Sequence, residues 1–213
     1  MAFCCIINGP CSAGKSTLIH QLQNHLPDPN IHLGIDTFHL AIPPRALEIG
    51  QPNPDYLLAE SSHRQGKPYT VIKHGRHIKK INQARFASVK KFVQHGVNVI
   101  SDELLWTQND VRDLVNGLAG IRVYLMGLFV SEEVGTHREQ IRFNQTSTNA
   151  QDNYRPEGMS RASSELVHNH MIYDLTLNND NTDTSDNIES IRHFIMTTPQ
   201  PNAFNKLLKN LSK

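Results

Sequence analysis

Gly9-Pro10-Cys11-Ser12-Ala13-Gly14-Lys15-Ser16-Thr17 fills every fixed position of the phosphate-binding pattern G-x-x-x-x-G-K-[ST]. Gly9 and Gly14 permit backbone angles and a close approach that a Cβ would obstruct, so successive N–H groups can curl around an anion. All nine residues are therefore candidate nucleotide contacts, with Lys15 placed to reach the β/γ-phosphates and the Ser16 hydroxyl to ligate Mg²⁺. Such a loop works only between a strand and the start of a helix, and both flanks comply. Phe3-Cys4-Cys5-Ile6-Ile7 is the continuous apolar run of a strand buried on both faces of a parallel sheet. Thr17 to Leu26 carries Leu18, Leu22 and Leu26 at helical spacing beside Ile19, and Pro27 stops it. The helix start then offers the phosphates unpaired N–H groups and roughly half a unit of positive charge.

With 213 residues the chain has the length of one α/β domain, expected over 1–197 with a C-terminal tail over 198–213 whose Phe204, Leu207, Leu208 and Leu211 suit a short docking helix. Lysine and arginine number 21 against 20 acids, a balance that argues against a nucleic-acid coat or a membrane-surface protein. Cys4, Cys5 and Cys11 crowd one strand and loop without zinc spacing and read as reduced thiols. With no basic segment before the first apolar run and no apolar stretch of membrane-spanning length, a cytoplasmic protein is expected.

Ile31-His32-Leu33-Gly34-Ile35-Asp36 reads as a second short strand with an acid at its C-terminal end. In open α/β sheets ligands lie beyond the carboxyl ends of the strands, so Asp36 should emerge beside the phosphate loop. There it either takes or positions the proton of an attacking hydroxyl, or merely caps the turn that follows. Phe38 to Gln65 is irregular and rich in turn residues, as a substrate-covering segment would be. A hairpin is expected around His74-Gly75, followed by a helix from about Lys79 to Gln94. Between Ser61 and Ser101 there is no acid, while nine lysines and arginines fall inside, Lys73, Arg76 and Arg85 among them. This run either steers anions inward or is a solvated face neutralised by acids from elsewhere.

Val97-Asn98-Val99-Ile100-Ser101-Asp102 is a third strand, and Asp102 at its end is placed to hold Mg²⁺ directly or through water. A helix capped by Thr107, a strand over Ile121–Met126 and a helix capped by Ser131 follow. Gln140 to Tyr154 turns polar between Arg138 and Arg142 on one side and Arg155 and Arg161 on the other, the composition of a mobile lid able to bring a guanidinium onto developing phosphoryl charge. A helix over Ser160–His168, a strand over Tyr173–Leu177 and a final amphipathic helix around Ile188–Ile195 complete the order. The twelve histidines have no metal-ligand spacing and read as surface or satisfied core residues.

Ile7-Asn8-Gly9 leading into Ser12-Ala13-Gly14-Lys15-Ser16, then Leu26-Pro27, Gly34-Ile35-Asp36, Ile100-Ser101-Asp102, Arg138-Glu139, Arg155 and Gly158-Met159, resemble the chloramphenicol phosphotransferase family in order and spacing. The resemblance implies a P-loop kinase-type three-layer α/β/α fold with a five-stranded parallel sheet, a lid over about 138–158 and an acceptor-side insertion over about 38–80. It implies ATP with Mg²⁺ as cofactors and phosphorylation of an alcohol on a small-molecule acceptor. Asp36 becomes the expected base, Lys15, Arg138 and Arg155 the expected catalytic cations, and Ser16 with Asp102 the expected metal ligands. Two departures stand out: the polar lid stretch is longer than the family's, and the acid-free run lies where the family shapes its acceptor pocket. The second suggests an anionic acceptor held by Lys73 and Arg76. Competing readings are a nucleotide or RNA-end kinase using the basic run, and an ATP-binding switch without catalysis.

Overall fold

The computed structural model describes residues 2–43, 46, 53–145, 156–181 and 183–211. The elements run β1 (Cys4–Asn8), α1 (Lys15–Leu22), β2 (Asn30–His32), α2 (Ile35–His39), β3 (Leu57–Arg64), β4 (Lys67–His74), α3 (Arg76–Gln94), β5 (Asn98–Glu103), α4 (Gln108–Leu118), β6 (Val123–Phe129), α5 (Glu132–Gln145), α6 (Met159–Leu166), β7 (Leu175–Asn178), α7 (Ser185–Thr197) and α8 (Ala203–Leu211).

All five residues of β1 are buried because this strand is the middle of a five-stranded parallel sheet ordered β2-β5-β1-β6-β7. Its alternate side chains feed two cores, as a period of two requires. Cys5 and Ile7 pack with α1 and α7 through Leu18, Leu22, Ile188 and Ile191. Cys4 and Ile6 pack with α3, α4 and α8 through Phe86, Val89, Leu114 and Phe204. The result is three layers. The segment expected as a tail thus supplies α8, whose start is pinned where Asp174 Oδ1 accepts from the N–H groups of Asn202 and Ala203.

Register sets the functional edge. Asn8 lies level with Glu103 on β5 and Gly127 on β6, so the loop after β1, the end of β5 and the end of β6 leave the sheet together. Gly9 turns away against β6 at a place where a Cβ would lie 2.5 Å from the Leu128 carbonyl oxygen.

Four local expectations are corrected. The second strand ends at His32, and Asp36 sits in the first turn of α2, whose N-cap is Gly34 with no side-chain cap bond. The hairpin joins β3 to β4 through Gln65 and Gly66, both at positive φ, and not around His74-Gly75. Two such residues suit a tight turn between twisted strands. The partner strand Leu57-Leu58-Ala59-Glu60-Ser61-Ser62-His63-Arg64 is largely solvent-exposed and so lacks apolar alternation. Gly75 instead caps α3, which begins at Arg76 rather than Lys79. α5 runs on to Gln145, through residues expected in the lid. Arg155 and most of the lid stretch, 146–155, lie outside the described residues, as do parts of the expected insertion. No helix among the described residues is long and apolar enough to cross a membrane.

Candidate active site

A cavity of about 120 Å³ opens at this edge, lined by the phosphate loop, Asp36, Asp102 and Arg142, with Trp106 and Met159 on its far side. That is the scale at which a dry engineered cavity of roughly 150 Å³ takes one aromatic ring. Ser12 at φ 60° and Gly14 at φ 85° bend the loop into the alternating hand that turns N–H groups toward an anion. Gly14 is doubly constrained, since a Cβ there would also lie 2.7 Å from Asn179 Nδ2. Asn179 holds the loop from outside by donating to the Ala13 carbonyl at 2.7 Å. Lys15 Nζ donates to the Gly9 and Pro10 carbonyls at 2.7 and 2.8 Å, folded across the loop it serves.

Ser16 and Asp102 meet as their sequence positions suggested: Ser16 Oγ donates to Asp102 Oδ2 at 3.0 Å. Burial alone would raise the Asp102 carboxyl. The hydrogen bond and charge of His32, then Lys15 and Ser16, outweigh it and bring the pKa down to about 2. Two hard oxygen donors beside a phosphate cradle fit Mg²⁺, which takes few protein ligands and completes its shell with water and phosphate oxygens. No cluster of three or more histidine, cysteine or acid side chains able to hold a metal exists among the described residues.

Arg138 and Arg142 have separate surroundings. Arg138 donates to the carbonyls of Asn179, Asp180 and Asn181, which places its guanidinium beside Gly14 on the strand-to-helix loop after β7. Arg142, one turn further along α5, lines the cavity. Between them Glu139 accepts from the N–H groups of Gly158 and Ser160 at 2.9 and 2.7 Å, tying α5 to the start of α6.

The side of the cavity away from the loop is mostly apolar, with Ile35, Leu57, Ile72 and Leu104, yet two histidines interrupt it. Neither His39 nor His74 was recognisable in the sequence, because one comes from α2 and the other from the end of β4. His74 Nδ1 lies 3.2 Å from Asp110 Oδ1, while Asp110 Oδ2 is held by the N–H and hydroxyl of Thr107 in the cap of α4. Burial alone raises the Asp110 carboxyl, and the His74 and Thr107 hydrogen bonds more than reverse it. His74 Nδ1 also lies 3.4 Å from Asn82 Nδ2, so the ring stands between Asp110 and Asn82. His39 Nε2 lies 3.2 Å from Asn82 Oδ1, which also accepts from Arg85.

Burial first, and then the neighbouring His74, pushes His39 down from 6.5 to about 4 against the opposing effect of its Asn82 bond. A group depressed in the fold contributes stability above its unfolded pKa and loses it as pH falls toward the folded value. His39 alone should therefore cost about 3 kcal/mol between pH 6.5 and pH 4. Urea unfolding at a series of pH values checks this: His39→Gln should flatten the slope by about one proton, and an unaltered slope would show that His39 is not held neutral.

Several cations of the basic run pair with acids brought in from outside it. Lys73 Nζ pairs with Glu60 at 2.6 Å across the hairpin, Arg76 with Asp55 at 2.7 Å, Arg64 with Glu165 at 2.7 Å, and Arg85 with Glu103 inside the protein. The acids come from before and after the run. Lys73 and Arg76 are exposed and are not among the cavity residues.

The sequence model of the family described as "Chloramphenicol phosphotransferase-like protein" matches residues 2–196. A Mycobacterium tuberculosis protein named "Putative O-phosphotransferase" is 28% identical over 205 residues, covering 96% of this chain and 87% of its own. Among solved structures, a sugar kinase from Janibacter superposes with a TM-score of 0.63 at 14% identity, over 93% of this chain and 97% of its own. The Mycobacterium tuberculosis APS kinase, solved with AMPPNP and APS, gives 0.59 at 10% identity, over 92% and 98%. At such identities the structural likeness speaks for the fold.

Proposed function

The chain belongs to the chloramphenicol phosphotransferase-like family, as an ATP-dependent kinase of phosphotransferase type, and from that premise we propose that it moves the γ-phosphoryl group of ATP to a hydroxyl of an uncharged, partly apolar small molecule. The observation that carries this reading is one cavity lined both by Lys15, Ser16, Asp102 and Asp36 and by the apolar Ile35, Leu57, Ile72 and Leu104. The phosphate loop and Lys15 hold the triphosphate. Ser16 and Asp102 would hold Mg²⁺, which would supply charge neutralisation for the phosphates. Asp36 accepts the acceptor hydroxyl as a hydrogen-bond donor and aims its oxygen at phosphorus. The new O–P bond forms as the bond from phosphorus to the β–γ bridging oxygen breaks, and the proton passes late to Asp36, with ADP leaving. Arg142 in the cavity and Arg138 beside Gly14 are the cations for the developing charge, with Arg155, outside the described residues, as a third.

An uncharged acceptor is favoured over the anionic one that composition suggested, because Ile35, Leu57, Ile72 and Leu104 line the cavity while Lys73 and Arg76 are absent from its lining and pair with Glu60 and Asp55. His74, oriented by Asp110, is the polar group available to a second substituent of the acceptor.

ATP consumption with Mg²⁺ should be measured against neutral alcohols, aminoglycosides, chloramphenicol, sugar phosphates and nucleotides. Turnover with the neutral alcohols is expected, and turnover confined to the phosphorylated compounds would overturn the proposed acceptor class. In the same assay Lys73→Glu and Arg76→Glu should leave the acceptor KM within about twofold, since exposed pairs contribute little. A KM that rises with acceptor charge in these variants would restore the anionic reading.

A further inference from the structure

His32 ends β2 opposite Ile100, two residues before Asp102 on the neighbouring strand. Its Nε2 lies 2.7 Å from Asp102 Oδ1, while the other carboxylate oxygen faces Ser16. The two oxygens of one carboxylate are thus divided between an imidazole behind and the phosphate loop in front. Asp102 is almost wholly buried, so Oδ1 needs a partner, and the backbone has made room for this one. A Cβ on Gly34 would lie 1.6 Å from Asp102 Oδ1 and 2.9 Å from His32 Nε2. Gly34 thereby ties the geometry of Asp102 to the start of α2, where Asp36 stands two residues later. The sequence gives no hint of this contact, because His32 and Asp102 are 70 positions apart.

We infer that His32 is a positioning residue for the divalent cation: by holding Oδ1 it presents Oδ2 of Asp102, already aligned with Ser16 Oγ, to the ion that accompanies the nucleotide. The inference rests on the ATP and Mg²⁺ reading above. Groups that orient a metal ligand from behind typically contribute 10–100-fold to metal affinity. In His32→Leu the carboxylate loses its rear partner, and Oδ1 and Oδ2 become free to exchange places.

The test uses full-length protein, AMPPNP as nucleotide and Mn²⁺ as the ion, with free Mn²⁺ read by electron paramagnetic resonance. His32→Leu is expected to weaken Mn²⁺ uptake by the AMPPNP complex about 10–100-fold, with AMPPNP affinity in EDTA held within about twofold. His32→Gln, whose amide N–H can reach the same oxygen, should recover most of the loss, and His32→Asn, too short to reach, should not. If His32→Leu does not fold, the Gln and Asn variants carry the comparison. Equal Mn²⁺ affinity in wild type and in the variants that cannot reach Asp102 would overturn the inference and reduce the pair to a contact that closes a strand end. Wild-type protein that takes up no Mn²⁺ with AMPPNP would overturn the ATP and Mg²⁺ reading itself.

Discussion

Asn in place of Asp36 is expected to lower acceptor-dependent turnover by about 10²–10⁴-fold, the usual contribution of a positioned general base. ATP should still bind, because the phosphate loop, Lys15 and Ser16 belong to β1, α1 and the loop between them, whereas Asp36 belongs to α2. A carboxylate is a weak base beside an alcohol, with an ordinary pKa of about 4. In a loose phosphoryl transfer this matters little, since the proton leaves the hydroxyl late and orientation comes first. An amide keeps the size of the side chain but cannot accept the proton, so kcat should fall more than KM rises. Initial rates at saturating ATP, with binding of an ATP analogue measured in parallel, distinguish the outcomes. An Asp36→Asn protein that turns over within about threefold of wild type would remove Asp36 from the chemistry and leave it a pocket residue.

The second large effect is on stability. Arg85 and Glu103 form a pair with both side chains essentially buried, joined by two hydrogen bonds of 2.6 and 2.5 Å. Glu103 Oε1 also accepts from Ser101, and Arg85 Nε donates to the Asn82 oxygen that faces His39. Removing one partner of such a pair leaves a charge in a dry site, so Arg85→Met should cost about 3–5 kcal/mol. Replacing both partners by apolar residues should recover much of that, because the desolvation cost disappears with the second charge. Urea unfolding of the single and double variants measures both quantities. A single-variant loss below about 1 kcal/mol would mean that water reaches Glu103 when Arg85 is absent. The arginine single variant should also raise the acceptor KM, since Asn82 joins Arg85 to the histidine wall of the cavity.

What the sequence determined by itself is local and periodic. The loop from Gly9 to Thr17, the apolar strand before it and the helix after it are contiguous, so every constraint on them is written within some twenty residues. The buried strands through Cys4–Asn8, Asn98–Glu103 and Val123–Phe129 were legible as apolar runs, and the Thr107 cap of α4 as a cap residue before an amphipathic helix. The acid at position 102 was legible because parallel strands send their carboxyl ends to one edge, whereas Asp36 reaches the cavity from the first turn of α2 and not from a strand end.

Only the tertiary structure decided which charges meet. Lys73 finds Glu60 across a hairpin whose outer strand has no apolar alternation, and Arg85 finds Glu103 from helix to strand. The same holds for His32 on Asp102 and for His39 and His74 on the acceptor side, which composition had left as ordinary histidines. Coulomb attraction and burial act between neighbours in space, and a chain that crosses the sheet between every pair of strands makes those neighbours from residues tens of positions apart. Several cations of an acid-free run thus found acids from elsewhere, and the polar groups of the cavity passed in part to His39 and His74, which no spacing rule had singled out.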